Sequence, residues 1–446
     1  MAIRFVLCLQ RKIRIKIDKD YFSGGMKMYQ AVITGLGPVA PNGVGKEPFW
    51  EAIVSGKTGI RRVDELAQSD CPCHIAGNIL PEWIEDRLTS LPDWLPDSKA
   101  CRFAMIAAML ALEDAGLTPE DIAKRKGAVY MGASSPDMEI YQREYQSFSN
   151  GGFIRPDALA AAAPHAPASA ISHFVKIYTN VLTISTACSS GGTSIQCAAD
   201  LIAQGEADVV IAGGVDIPLS PFFISGCSSV GLVPLSYNHK PEYGSRPFDA
   251  QCESGVLSEG AGVVIMEEKN NAIKRKAKIY AEYSGGGTST ALSPSWMKKS
   301  FTAAMSESLN QSRIRPSDID YISACAPGHP VIDQVETDAI KELFGRRAYN
   351  IPVSSIKSMI GNPGAASGPL QLIATALSID HNYVTPTVNL EQCSEGCDLD
   401  YIPFEGRVAR VNRAMVNVRG FGGNTSSLVI SKLDSRSKNL NGLHND

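Results

Sequence analysis

The residue types that come closest to chemistry lie in Thr186-Ala-Cys188-Ser-Ser-Gly191. Cys188 stands between an apolar-leaning run, Tyr178 to Ile184, and a small-residue helix start, Ser190-Gly-Gly-Thr-Ser-Ile195. The pattern reads as a strand, a tight turn and a helix N-terminus. The first amides of such a helix, and its dipole, favour a thiolate over a thiol. A thiolate held there is placed to attack a thioester carbonyl. Alone, the same cysteine also fits a buried, inert thiol, the common fate of free cysteine. The surrounding sequence has to separate the two readings.

The elements that position Cys188 alternate between strand and helix. A first strand is expected at Ala31-Val-Ile-Thr34, and a helix over Phe49–Ile53 ends at Ser55-Gly56. The alanine-rich stretch Ser98–Ala115 has helical spacing and is closed by Gly116. Gly127–Met131 reads as a buried strand, and Asp157–His173 as helix broken by Pro164 and Pro167. A helix runs from the Cys188 elbow to about Gln204, followed by a strand at Asp208–Ala212. Near Ala281 the pattern begins again. Strands are expected at Ile279–Tyr283, Asp320–Ala324, Val353–Ser355 and Ala414–Val418, the last being the final one. Helices are expected at Phe301–Gln311 and Pro369–Ile379. Such alternation predicts an α/β fold of two similar halves, with a mostly parallel sheet covered on both faces. The loops at Cys188, Cys325, Asn362 and Phe421 all follow strands, the end where sites form in parallel sheets.

Bulk properties exclude other classes. The chain has 446 residues, 44% hydrophobic and 20% charged, as in ordinary globular proteins. A net charge of -4 gives no general attraction to nucleic acid, and none is expected as a partner. No apolar run approaches the ~18 residues of a membrane span, so no membrane role is expected. Eleven cysteines in irregular spacing argue against a disulfide framework and for a reduced cytoplasm. Cys71-Pro-Cys73-His74 and Cys393-Ser-Glu-Gly-Cys397 lack a second ligand pair at zinc spacing, and no metal is expected. Residues 1–27 are expected to be an extension, 28–275 a first half carrying Cys188, 276–434 a second half, and 435–446 a polar tail.

Five motifs in order carry a family resemblance: the Cys188 stretch, Arg246-Pro-Phe-Asp249, Glu259-Gly-Ala-Gly262, Lys357-Ser-Met359 and Gly420-Phe-Gly-Gly423. Together they resemble the β-ketoacyl-acyl-carrier-protein synthases of the thiolase superfamily, from about Gln30 to about Leu433. The resemblance implies a thiolase-like fold, two similar αβα halves forming a five-layered αβαβα core, in a dimer. It places the nucleophile on Cys188 and the oxyanion hole on the backbone amides of Cys188 and Phe421. It places a buried, loop-orienting ion pair on Lys357 and Glu336. No bound cofactor is implied; the substrate arrives on the phosphopantetheine arm of an acyl carrier protein.

The chain departs from the family where the two histidines belong. The family's Asn-Ala-His-Gly-Thr segment reads Ser323-Ala-Cys325-Ala-Pro327, and the histidine after Lys-Ser-Met-x-Gly is Asn362. Those histidines polarise the malonyl thioester carbonyl and stabilise the enolate left by decarboxylation. Removing one such donor costs roughly 2.7–4 kcal/mol, about 10²–10³ in rate. Asn362 keeps one neutral donor, and Cys325 is a weak donor that cannot act as a cationic acid. His329 is a rescue candidate only if its loop, restricted by Pro327 and Pro330, turns inward. Arg419 replaces an apolar residue, Asn424-Thr425 reverses the usual Thr-Asn order, and Gln251-Cys-Glu-Ser-Gly255 alters the glycine placement. Transacylation needs only the thiolate, the dipole and the oxyanion hole. The expectation is therefore a ketosynthase-family subunit in polyketide or fatty acyl elongation. In character it is closest to the condensation-impaired β subunit, or chain-length factor, of type II polyketide synthases. Such a subunit pairs as a heterodimer with an active ketosynthase α subunit. The alternatives are a Cys188-dependent acyltransferase or an atypical condensing enzyme, and a homodimer.

Overall fold

The computed structural model describes residues 29–135 and 137–433. The expected extension 1–27 and polar tail 435–446 lie outside the described residues.

Ten strands and six helices carry the architecture. In the first half the strands are β1 (Ala31–Ala40), β2 (Gly127–Gly132), β3 (Val181–Ile184), β4 (Val209–Asp216) and β5 (Gly260–Glu268). In the second they are β6 (Ala281–Thr290), β7 (Tyr321–Ser323), β8 (Val353–Ser354), β9 (Arg413–Arg419) and β10 (Asn424–Ser431). The helices are α1 (Lys99–Ala115), α2 (Ala166–Val175), α3 (Ser190–Ala203), α4 (Met297–Ser312), α5 (Pro330–Phe344) and α6 (Ser367–His381). The spatial order is β3-β2-β4-β5-β1 in one half and β8-β7-β9-β10-β6 in the other. Each strand and helix of the first half thus has its counterpart in the second. The halves meet where β1 pairs β6 over two residues, Val32 with Glu282 and Ile33 with Ala281.

Sequence signals account for the helices directly. Ser98 caps α1, its hydroxyl accepting the Cys101 amide, and Gly116 closes it at φ 64°. The proline-interrupted region forms two pieces, Ala158–Ala162 and α2. α3 and α6 lie between the sheets, with α3 against β4 and β10 and α6 against β9 and β5. α1 covers the outer face of β1 and β5, and α4 that of β6 and β10. The result is the five-layered αβαβα core. α6 is buried from Ser367 to Ile379, which is why it is apolar or small on nearly every side, Gln371 excepted, whose amide bonds the Ala324 and Asn417 carbonyls. Gly368 permits the close approach of α6 to α3, since a Cβ there would lie 2.7 Å from the Gly192 amide nitrogen.

Two expectations about the sheet are corrected. It is mixed, not mostly parallel. β3, β2 and β4 are parallel, as are β8, β7 and β9, but β5 and β1, and likewise β10 and β6, run antiparallel to their neighbours. An apolar run fixes burial, not direction, and here each half adds returning strands. Ala414–Val418 is also not the last strand, because β10 follows the Gly420–Gly423 turn. The polar start of β10 hides it. Thr425 and Ser427 are buried there because their hydroxyls pair with Ser300 at 3.0 Å and Ser308 at 3.3 Å on α4.

Candidate active site

Four strand ends of the two halves converge. β3 delivers Cys188, β7 delivers Cys325, β8 leads into the turn Lys357–Ile360 and then Asn362, and β9 ends at Arg419 before Phe421. At the elbow, Ala187 is held at φ 54°, a left-handed conformation rare for alanine. Hydroxyls brace it: Ser190 Oγ accepts the Thr186 amide at 2.8 Å, and Ser189 Oγ donates to the Thr186 carbonyl at 2.7 Å. α3 begins two residues after Cys188. Backbone strain held by such over-determination is a mark of a working position.

The Gly420–Gly423 turn closes on this elbow. A Cβ on Gly420 would lie 2.6 Å from the Thr186 oxygen, 2.8 Å from Ala187 Cβ and 2.9 Å from the Cys188 nitrogen. Only glycine allows that contact. It brings the Phe421 backbone and the Asn362 side chain beside the Cys188 thiol, where both favour the thiolate. Asn362 is oriented for this because its Oδ1 accepts the Ser367 hydroxyl at 3.2 Å. Cys188 is half-buried. Burial lifts its thiol above the ordinary value, against the opposing pull of Lys357, Phe421 and Asn362. Desolvation thus outweighs the stabilisation of the thiolate expected from the sequence.

Cys325 is fully enclosed behind Cys188. Its sulfur accepts the Arg419 amide at 3.2 Å and faces the Lys357 ammonium at 3.9 Å, while burial pushes the thiol up to about 12. Glu336 binds the amides of Cys325 and Ala326, each at 2.9 Å, and accepts Asn417 Nδ2 at 3.1 Å. Lys357 and Glu336 therefore do not close into the expected ion pair. Among the described residues no such contact falls within 4.0 Å, and the lysine faces the Cys325 thiol instead. Glu336 spends its oxygens on backbone amides instead, holding the loop that carries Cys325.

His329 does not join the group. It caps α5, with Nδ1 accepting the Val331 amide at 3.2 Å and its own amide donating to Asp333 at 3.3 Å. Burial lowers its pKa, favouring the neutral ring. The arrangement near Cys188 therefore brings together a thiol, the Phe421 backbone, a neutral amide at Asn362 and the Lys357 charge, with no imidazole joining them among the described residues. Sequence reasoning underrated Arg419, singled out only as a departure, whose side chain is buried and hydrogen-bonded. Its charged type in an apolar place was the available signal. The Cys71–His74 thiols bond nearby carbonyls, Cys71 to Cys73 and Cys73 to Ile75, and among the described residues no group of three or more side chains is arranged to hold a metal ion. Among the described residues no helix is long and apolar enough to cross a membrane.

A doubled half of this order, with a cysteine elbow facing a glycine turn across α3 and α6, defines a thiolase-like fold. The Beta-ketoacyl synthase, N-terminal domain family matches residues 29–272, and the Beta-ketoacyl synthase, C-terminal domain family matches residues 278–391. The 3-oxoacyl-[acyl-carrier-protein] synthase 2 of Coxiella burnetii is 34% identical over 414 residues, 92% of this chain and 100% of that protein. The tetracenomycin polyketide synthase ketoacyl synthase alpha subunit of Streptomyces glaucescens is 34% identical over 419 residues, 90% of this chain and 97% of its own. A solved type II polyketide synthase complex, of an acyl carrier protein with its ketosynthase bound to the hexaketide, superposes with a TM-score of 0.83 at 28% identity, covering 91% of this chain and 100% of that one. The ishigamide ketosynthase/chain length factor shares the fold, with a TM-score of 0.84 at 24% identity over 91% of this chain and 100% of its own. The chain belongs to the β-ketoacyl synthase family.

Proposed function

We propose that this chain works on carrier-protein-bound acyl thioesters in polyketide or fatty acyl elongation, as a condensation-impaired, chain-length-factor-like partner of an active ketosynthase. The observation that carries this is the site composition: Cys325 and Asn362 stand where the family resemblance places histidines, and His329 is committed to capping α5. The synthases and alpha subunit among its relatives, and the carrier-protein complex among similar structures, support the substrate class and the carrier partner.

A second reading is favoured by the intact elbow. Cys188, with the Phe421 amide as oxyanion donor, has what transacylation needs. In that step the Cys188 sulfur forms a bond to the acyl carbon, the bond to the pantetheine sulfur breaks, and the thiol proton passes to the departing thiolate. Purified chain, alone and with a ketosynthase α-type subunit, is to be incubated with acyl-carrier thioester and weighed by intact mass spectrometry. A stable heterodimer that condenses, with an isolated chain that does not, is expected from the first reading. An isolated chain that gains the acyl mass on Cys188 and transfers it to a second thiol supports the second. A chain that forms no complex and takes no acyl group contradicts both.

A further inference from the structure

Arg419 is 9% exposed, and among the described residues no carboxylate lies within ion-pair distance of it. Its bonds go elsewhere. Nη1 lies 3.0 Å from the Gly423 carbonyl oxygen and 2.8 Å from Thr425 Oγ1, and Nη2 donates to the Ala291 carbonyl at 2.9 Å. The guanidinium also stands over the Phe301 ring at 5.7 Å. Gly423 closes the turn that presents Phe421, and Ala291 begins the segment after β6. The same guanidinium therefore ties two loops together from beneath. Thr425 is the cross-strand partner of Arg419 in the β9–β10 ladder. The two departures from the family pattern, arginine before the turn and threonine after it, are thus one bonded unit.

A buried guanidinium without a carboxylate is costly to the fold. Its forked, planar donors suit bridging two carbonyls, which a lysine cannot do in the same way. Retained at such a cost, it should act on something local. Its backbone supplies the link, because the Arg419 amide donates to Cys325 and the next residues form the turn against Cys188.

We propose that Arg419 is a positioning residue that fixes the Gly420–Gly423 turn, and with it the Phe421 amide, against the Cys188 sulfur. The consequence rests on the reading of Cys188 as an acyl acceptor; the positional claim does not. Arg419→Met and Arg419→Lys in the full chain test it. Three quantities are measured: hydrogen exchange in residues 420–425 and 288–293, the rate of Cys188 acylation by an acyl-pantetheine thioester, and the melting temperature. Both variants should exchange faster in the two segments and load roughly 10- to 100-fold more slowly, as expected when a reacting group is displaced by a fraction of an ångström. Arg419→Met removes a desolvated charge but leaves the Gly423 and Ala291 carbonyls without this donor, so the two effects oppose and the melting temperature should move little. Unchanged exchange in both variants overturns the proposal, as does loading that falls only in step with the melting temperature. If the unaltered chain does not load at all, the acyl-acceptor reading fails, and exchange alone still decides the placement of the turn.

Discussion

Substitution of Gly420 by alanine isolates the turn-to-elbow contact better than any change at the thiol itself. The new methyl would meet the Thr186 oxygen at 2.6 Å, Ala187 Cβ at 2.8 Å and the Cys188 nitrogen at 2.9 Å. Two of these are backbone atoms, so no side chain can swing aside. The turn and the elbow must part by several tenths of an ångström, at a cost of about 1–3 kcal/mol in stability, typical of overpacking. The rate should suffer more. The Phe421 amide would withdraw from where the oxyanion forms, and a lost oxyanion donor is worth roughly 10²–10³ in rate. The assay is time-resolved intact-mass detection of acyl transfer from an acyl-pantetheine thioester to Cys188, with thermal melting and a Cys188→Ala control in parallel. The expected result is a folded variant that loads at least about tenfold more slowly. A Gly420→Ala chain that loads at the unaltered rate would show that the turn does not position the Phe421 amide for the reaction. Failure of the unaltered chain to load refutes the prior assignment of Cys188.

Other expectations follow from charges and burial. Lys357→Met removes the cation that opposes burial at both thiols, so the Cys188 and Cys325 thiols should rise further. Iodoacetamide alkylation of Cys188 at fixed pH should slow by roughly several-fold, with its midpoint moved to higher pH; an unmoved midpoint contradicts the role given to Lys357. Burial lifts the Asp333 carboxyl from 3.8 to about 7, so the folded chain keeps a proton that the unfolded chain releases. The stability it contributes is full below its unfolded value and is lost as pH rises toward its folded one. The stability of the unaltered chain relative to Asp333→Asn should therefore decline between about pH 4 and pH 7, read by chemical denaturation; a difference that does not vary with pH is the contrary result. Cys325→His combined with Asn362→His should increase CO₂ release from malonyl-carrier thioester by at least about tenfold, because each oxyanion-type donor is worth about that or more. No gain would show that the missing imidazoles are not what limits the site.

The sequence made the order of elements and the Cys188 elbow legible because both are local. Alanine periodicity with Ser98 and Gly116 at its ends marks α1, and small residues after Cys188 mark the start of α3. Strand direction was not legible, since a buried apolar run reads the same whichever way it runs, and Gly260–Glu268 was not read as a strand at all. Nor was β10, whose Thr425 and Ser427 find their hydroxyl partners on α4, far along the chain. At the site, the resemblance pointed to the right neighbours but to the wrong pairing. Glu336 faces the backbone of its own loop, and Lys357 faces a thiol, because cysteine replaced the residue between them. Likewise the helix N-terminus argued for a thiolate at Cys188, yet enclosure by the surrounding chain, which no local motif reports, pushes the other way.

In the proposed role the chain engages carrier-bound thioesters without the two histidines to which the family resemblance assigns decarboxylation. The most direct measurement is CO₂ release from malonyl-carrier thioester by the purified chain, alone and then with a ketosynthase α-type partner. No release above background is expected from the chain alone, and release with a condensed product once the partner is added. Decarboxylation or carbon–carbon bond formation by the chain alone would contradict that role.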